Sequence, residues 1–361
     1  MKEKVVLCVA AAAATAFGSV REEVRDAANR QIADGMILGA VVAAKGFEPL
    51  ATGCRLFAPM DAETRFDCAS VTKTVVAMTC ARLAAQGLVD VDRPFTDYLT
   101  EHVLAKEGCT ITVRDLALHV GGFGGDISYQ RHRDYTEFRR AAMNLRPERK
   151  PREKYQYLCI NMIYVGWVVE KVTGLPLDAA AKKYVLDPLG MTHSSWGPLP
   201  ADANVAYVPI ALSHLSMPCW EGYNAGIGWP SDPGANFAAP HPIGNAGLFS
   251  TAGDLLLFVR DLAERRAFEP KAYELVLTCG YEDGPTRRRS FGFDMSADML
   301  PAGFTTNAVM HTGWSGQTIV ADPSTGDYGV ALTARACLQH GKCRRARGEL
   351  ITNALKGKGG K

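Results

Sequence analysis

Phe66-Asp67-Cys68-Ala69-Ser70-Val71-Thr72-Lys73-Thr74-Val75-Val76-Ala77-Met78 opens polar and then runs apolar and alanine-rich as far as Gln86-Gly87. That is the pattern of a buried helix with a glycine stop. Ser70 falls at or near the helix start, and Lys73, three residues on, projects from the same face. A serine hydroxyl is a weak nucleophile. An amine kept partly neutral by burial or by neighbouring positive charge can take its proton. Backbone N–H groups at a helix start add positive potential where an oxyanion would form. A capping serine followed by a solvated lysine has the same spacing, so the remainder of the chain must decide between the two.

The chain has 361 residues, 47% of them hydrophobic and 22% charged, with a formal net charge of +2. It is long enough for one large domain of two lobes, and its composition is that of an ordinary soluble globular protein. The basic runs, Arg287-Arg288-Arg289 and Lys342 to Arg347, are short and lack interleaved aromatics. They read as solvated faces rather than a phosphate track, so no nucleic-acid partner is expected.

Met1-Lys2-Glu3-Lys4, the apolar run Val5 to Ala14 and the small residues up to Gly18 have the layout of a secretory signal, residues 1–18. The run is too short for a stable membrane span. This predicts an exported protein, periplasmic or secreted; an alanine-rich extension of the first helix is the cytoplasmic alternative. The 10 cysteines are scattered, as expected of mostly free, buried thiols. Cys337-Leu338-Gln339-His340-Gly341-Lys342-Cys343 has ligand-like spacing but offers three ligands only, so it reads as a strand end and turn rather than a zinc site.

Val20 to Ala33 has helical periodicity. Gly39 to Ala44 and Leu50 to Phe57 read as paired strands joined through Lys45 to Pro49. From about residue 70 to 240 the pattern is mainly helical with long loops, including helices at Val113 to Leu118 and Asn161 to Val172. Asn204 to Pro242, rich in Pro, Gly, Asn and Trp, reads as a functional rim or lid. Strand patterns return at Ser290 to Met295, Asn307 to His311, Gln317 to Ala321 and Gly329 to Thr333, followed by a helix from Arg344 to Leu355 and a disordered tail, 356–361. The fold class is therefore α/β (α+β). One antiparallel sheet is built from both chain ends (about 19–65 and 245–355), with an inserted helical lobe (about 70–240), all within one domain, 19–355.

Several stretches together resemble the class C β-lactamase and D-alanyl-D-alanine peptidase branch of the penicillin-recognising serine hydrolases, a group that also holds esterases and D-aminopeptidases. They are Phe66 to Thr74, Ile111 to His119, Pro188-Leu189-Gly190-Met191-Thr192, Asn245 to Thr251 and His311-Thr312-Gly313-Trp314, in the family's order and at roughly its spacing. The resemblance covers about residues 20 to 350 and implies the β-lactamase/transpeptidase-like fold, with no cofactor and no metal. It places the tyrosine of the second motif at Tyr157 and Tyr155 at a position of aromatic packing. Cys159 stands where the family has asparagine. A thiol is a poor donor and a poorer acceptor, which argues against recognition of a penicillin or peptide side-chain amide and for esters.

The mechanism the resemblance implies is acyl transfer through Ser70. Tyr157 would be the base, with Lys73 and His311 as the flanking cations that stabilise its phenolate, or Lys73 the neutral base with Tyr157 as relay. The backbone N–H groups of Ser70 and Trp314 would form the oxyanion hole, and Cys159, Thr312 and Gly313 would line the substrate site. His311 in place of lysine favours the peptidase and esterase members. His119 is expected on a helix away from the chemistry. No Gly-x-Ser-x-Gly elbow and no Ser-Asp-Asn triplet occurs. The expected partners are small ester, peptide or β-lactam molecules, with β-lactamase, D,D-carboxypeptidase or a non-catalytic binding protein as alternatives.

Overall fold

The computed structural model describes residues 19–200, 202–216 and 223–356. The signal-like segment 1–18, Cys219 and residues 357–361 of the tail lie outside the described residues.

Residues 19–33 form the first helix, α1, and bury Val20, Val24, Ala27 and Ala28. Two strands follow, β1 (Ile37–Ala44) and β2 (Phe47–Gly53). Gly46 takes a φ of 71°, which lets Lys45-Gly46 close a two-residue hairpin turn. The second strand therefore starts at Phe47, opposite Ala44, earlier than the five-residue turn expected from sequence. Pro49 is tolerated there because β2 lies at the sheet edge.

The inserted segment contains β3 (Phe66–Asp67), α2 (Thr72–Ala85), α3 (Val113–Ala117), α4 (Tyr135–Met143) and α5 (Cys159–Thr173), then α6 (Leu177–Ala181), α7 (Asp187–Leu189), β4 (Ser195–Trp196) and α8 (Pro233–Ala238). The chain returns through β5 (Leu248–Ser250), α9 (Ala252–Glu264), α10 (Pro270–Leu277), β6 (Tyr281–Glu282), β7 (Arg288–Ser290) and β8 (Phe293–Asp294). It ends with β9 (Val309–Thr312), β10 (Gln317–Asp322), β11 (Asp327–Arg335) and α11 (His340–Leu355). Local signals set several boundaries. Thr112 and Asp115 form a reciprocal capping box on α3, and Gly174, at φ 66°, ends α5.

The main sheet has 8 strands in the order β2-β1-β11-β10-β9-β8-β7-β6, and every pairing in it is antiparallel. The expectation of one sheet built from both chain ends is met by the pairing of β1 with β11. Side chains alternate across it. Ala40, Val42, Val320 and Ala331 pack with α1 and α11, while Val41, Ile319, Val330 and Leu332 face the larger cluster that includes α2, α5 and α9. A smaller sheet, β3-β5-β4, joins the nucleophile segment to the helical lobe.

Ser290 to Met295, expected as one strand, is a hairpin. Gly292 turns it with a φ of 83°, and its backbone presses on α2 so closely that an added Cβ would sit 2.2 Å from Ala77 Cβ. Replacing Gly292 by alanine combines a left-handed backbone with overpacking, and should destabilise the protein by about 2 kcal/mol or more. Urea unfolding of Gly292→Ala against the wild-type chain measures this; a change within about 0.5 kcal/mol, as for an ordinary surface substitution, would contradict the contact.

Candidate active site

The turn that carries Ser70 is shaped by the residue three positions before it. Ala69 sits at φ 42°, a conformation that persists in a non-glycine residue only where its surroundings enforce it. The enforcing group is Asp67, which is wholly buried. Its Oδ1 accepts from Ala69 N at 2.9 Å. Its Oδ2 accepts from Ser231 N at 2.8 Å and also from the Ser231 hydroxyl. Its backbone oxygen accepts from Ser315 Oγ at 2.8 Å. Burial pushes this carboxyl up despite those donors. One side chain thus ties the nucleophile turn to the loop before α8, and its backbone ties the same turn to the one between β9 and β10.

Lys73 lies on the first turn of α2 with no exposed surface. Its Nζ donates to Ser70 Oγ at 2.9 Å and to Asn245 O at 2.9 Å, and lies 3.7 Å from Cys159 Sγ. Burial works against the charge, but Cys159, the Tyr157 phenol and the Asp232 carboxylate outweigh it and hold the ammonium above its ordinary range. Lys73 is therefore charged at rest.

Tyr157 is 38% exposed, on the cavity side. Lys73 Nζ lies 5.1 Å from its ring centroid, the His119 ring 4.4 Å away, the His311 ring 6.2 Å away and the Arg289 guanidinium 5.9 Å away. The structure therefore brings Ser70, Lys73, Tyr157 and His311 together. Tyr155 stacks on Tyr281, in line with its expected packing role.

Three features depart from the sequence reading. His311 is not the second cation: burial, then Arg289 and Lys73, hold its pKa well below the usual histidine value. Its Nδ1 lies 3.0 Å from Thr312 O, and its buried Nε2 has no hydrogen-bond partner among the described residues. The cation on that side is Arg289, 2% exposed and bonded through Nη1 to Asp294 Oδ2 at 2.9 Å. The run of three arginines was expected to be solvated, but along a strand neighbours face opposite ways. Arg288 turns toward Glu282 on the outside while Arg289 turns in.

The second departure is His119. It follows α3 at φ 60° and seats the Tyr157 segment instead of lying apart from it. Its Nδ1 accepts from Leu158 N at 3.3 Å and its backbone oxygen from Gln156 N at 2.9 Å. Third, Cys337 and Cys343 are bonded to each other, while Cys54, Cys68, Cys80, Cys109, Cys159 and Cys279 are free.

These groups border a cavity of about 460 Å³ lined by Ser70, Tyr157, Cys159, Asp232, Arg289 and Trp314 among others. Burial pushes the Cys159 thiol up to about 12, so it stays protonated. Asn161, two residues on, points to His119 Nδ1 at 3.3 Å and does not replace the missing amide. Thr312 lines the cavity. Gly313 is required by close approach, since a Cβ there would meet Cys68 O at 2.6 Å. Trp314 O accepts from Arg335 Nη1 at 2.8 Å, which fixes that turn. Among the described residues no cluster of three or more His, Cys, Asp or Glu side chains could hold a metal, and no helix is long and apolar enough to cross a membrane.

The fold is that of the β-lactamase/transpeptidase class. The Beta-lactamase family model matches residues 30–353, and the chain belongs to that family. It is 25% identical over 291 residues to the "Putative D-alanyl-D-alanine carboxypeptidase" of Escherichia coli O157:H7, covering 72% of this chain and 66% of that one. It is 27% identical over 296 residues to "Esterase EstB" of Burkholderia gladioli, covering 72% of this chain and 73% of that one. Among solved structures, "EstCE1, a hydrolase with promiscuous acyltransferase activity" superposes with a TM-score of 0.74 at 21% identity, over 93% of this chain and 99% of that one. "A class C beta-lactamase" does so with a TM-score of 0.71 at 16% identity, over 94% and 97%.

The two buried histidines make stability depend on pH. His119 and His311 are both held neutral well below the ordinary 6.5. Below that value the unfolded chain binds protons that the folded one refuses, so their burial costs stability as the pH falls. Urea midpoints at about pH 7 and about pH 5 should fall with acid, and His311→Gln should reduce the fall. An identical drop in the two proteins would mean that His311 titrates normally.

Proposed function

We propose that the chain is a serine hydrolase that works through an acyl-enzyme on Ser70, with small esters or D-amino-acid amide and peptide bonds as substrates. The observation that carries this is the 2.9 Å contact of Lys73 Nζ with Ser70 Oγ beside the Tyr157 ring in one cavity. A charged Lys73 is a donor rather than a base, which favours Tyr157 as the group that takes the Ser70 proton. That step requires Tyr157 to be a phenolate before the attack, with Lys73 and Arg289 as the cations beside it.

In this reading Ser70 Oγ attacks the substrate carbonyl as its proton moves to Tyr157. The oxyanion rests on the N–H groups of Ser70 and Trp314. Tyr157 then protonates the leaving group, and water, deprotonated by the same phenolate, hydrolyses the ester on Ser70. Neutral His311 packs the wall of the site and supplies no charge. The neutral thiol of Cys159, where the family resemblance implies an amide, weighs against the β-lactamase and D,D-carboxypeptidase reading. The presence of Ser70, Lys73 and Tyr157 together weighs against a non-catalytic binding protein. The Cys337–Cys343 disulfide supports the proposed export.

Turnover of p-nitrophenyl acetate and butyrate tests the assignment. Ser70→Ala should abolish it, and Tyr157→Phe should lower kcat/KM by about a hundredfold, the loss expected on removing a general base. Ser70→Ala with wild-type turnover would remove Ser70 as nucleophile. A loss under about threefold in Tyr157→Phe would return the base role to Lys73. Nitrocefin should be hydrolysed much more slowly than the esters.

A further inference from the structure

The cavity holds a carboxylate that the proposed chemistry leaves unused. Asp232 lines it beside Ser231 and Pro233, half-buried at the start of α8. Its Oδ1 takes the Ala235 N–H at 2.9 Å and Asn245 Nδ2 at 3.1 Å. Among the described residues Oδ2 has no hydrogen-bond partner and neither oxygen is within ion-pair distance of a cation. Capping α8 needs only one acceptor, which asparagine or serine supplies as well, so the cap does not account for the second oxygen.

The position of that charge is informative. Asn245, which donates to Asp232 Oδ1, takes the Lys73 ammonium on its backbone oxygen, and Asp232 lines the same cavity as Cys159, so it stands on the wall where the family resemblance puts the acyl part of a substrate. On the opposite wall Arg289 is already matched by Asp294 at 2.9 Å. Lys73 is committed to Ser70 Oγ and Asn245 O. Cys159 offers a neutral thiol in place of an amide, so the acyl wall has lost a donor–acceptor clamp and retains a bare carboxylate.

We infer that Asp232 is a specificity residue that binds a protonated amine on the acyl side of the substrate, so that free α-aminoacyl esters or amides are preferred. This rests on the serine-hydrolase reading above and narrows it. A free ammonium can donate to Asp232 Oδ2, forming a charge-assisted bond. A nitrogen acylated as in penicillins or capped peptides has lost its charge and gains nothing there.

The test uses protection of Ser70 from a fluorophosphonate probe at neutral pH, which does not depend on turnover. Alaninamide, each enantiomer separately, is compared with isobutyramide, the same shape with a methyl group in place of the ammonium. In the wild-type protein at least one alaninamide enantiomer should protect at a concentration about tenfold lower or more, the scale of one charge-assisted hydrogen bond. In Asp232→Asn and Asp232→Ser, which keep the helix cap, the difference should vanish. Equal protection by the two amides in the wild-type protein, protection by neither, or unchanged discrimination in the variants overturns the inference. Failure of the wild-type Ser70 to label at all would instead overturn the hydrolase reading. Should the variants fail to label, the wild-type comparison alone decides.

Discussion

A lysine ammonium with no access to water must be solvated by the protein, and that requirement organises the centre of this molecule. Lys73 satisfies it with the Ser70 hydroxyl and the Asn245 carbonyl, each at 2.9 Å, and with the Tyr157 phenol and the Cys159 thiol close by. Those partners come from the turn before α2, the loop before β5 and the start of α5. A buried charge that loses a partner costs several kcal/mol, so the three segments are held together by the electrostatics of one side chain. The same arrangement puts a hydroxyl, an amine and a phenol within reach of one substrate.

Asp67 performs the complementary task on the backbone. Its carboxylate bridges Ala69 and Ser231, and its carbonyl takes Ser315 Oγ, so the strained turn at Ala69 is fixed from two sides. Gly313 lets the chain after β9 come close to the Cys68 carbonyl of the nucleophile turn. The large sheet supplies rigidity, since strands such as β10 and β11 are covered on both faces. The helical lobe supplies the opposite wall of the cavity through α5 and the loop before α8.

Much of this was legible before any coordinates. The spacing of Ser70 and Lys73 is local, and a helix transmits local spacing faithfully into space. The sheet built from both chain ends followed from where the strand patterns lay. Residues whose roles depend on tertiary neighbours were not legible. Arg289 was hidden because a run of three arginines looks solvated until strand alternation turns its last member inward. His119 was misplaced because it leaves α3 with a left-handed backbone, which redirects its ring to Tyr157. Asp232 sits in a segment without periodicity, so nothing in its surroundings marks it as part of a cavity. The expected charge on His311 failed for another reason: a residue's type gives its usual pKa, but burial and two neighbouring cations decide its actual one.

The claim on which the account stands is that Ser70 is the activated hydroxyl. Trypsin should release it in the peptide Phe66 to Lys73, in which it is the only serine. After reaction with a fluorophosphonate, peptide mass mapping should find the adduct on that peptide alone, with the modified site at Ser70. An adduct on a different serine, or an unmodified Phe66 to Lys73 peptide in a protein that still hydrolyses p-nitrophenyl esters, would contradict it.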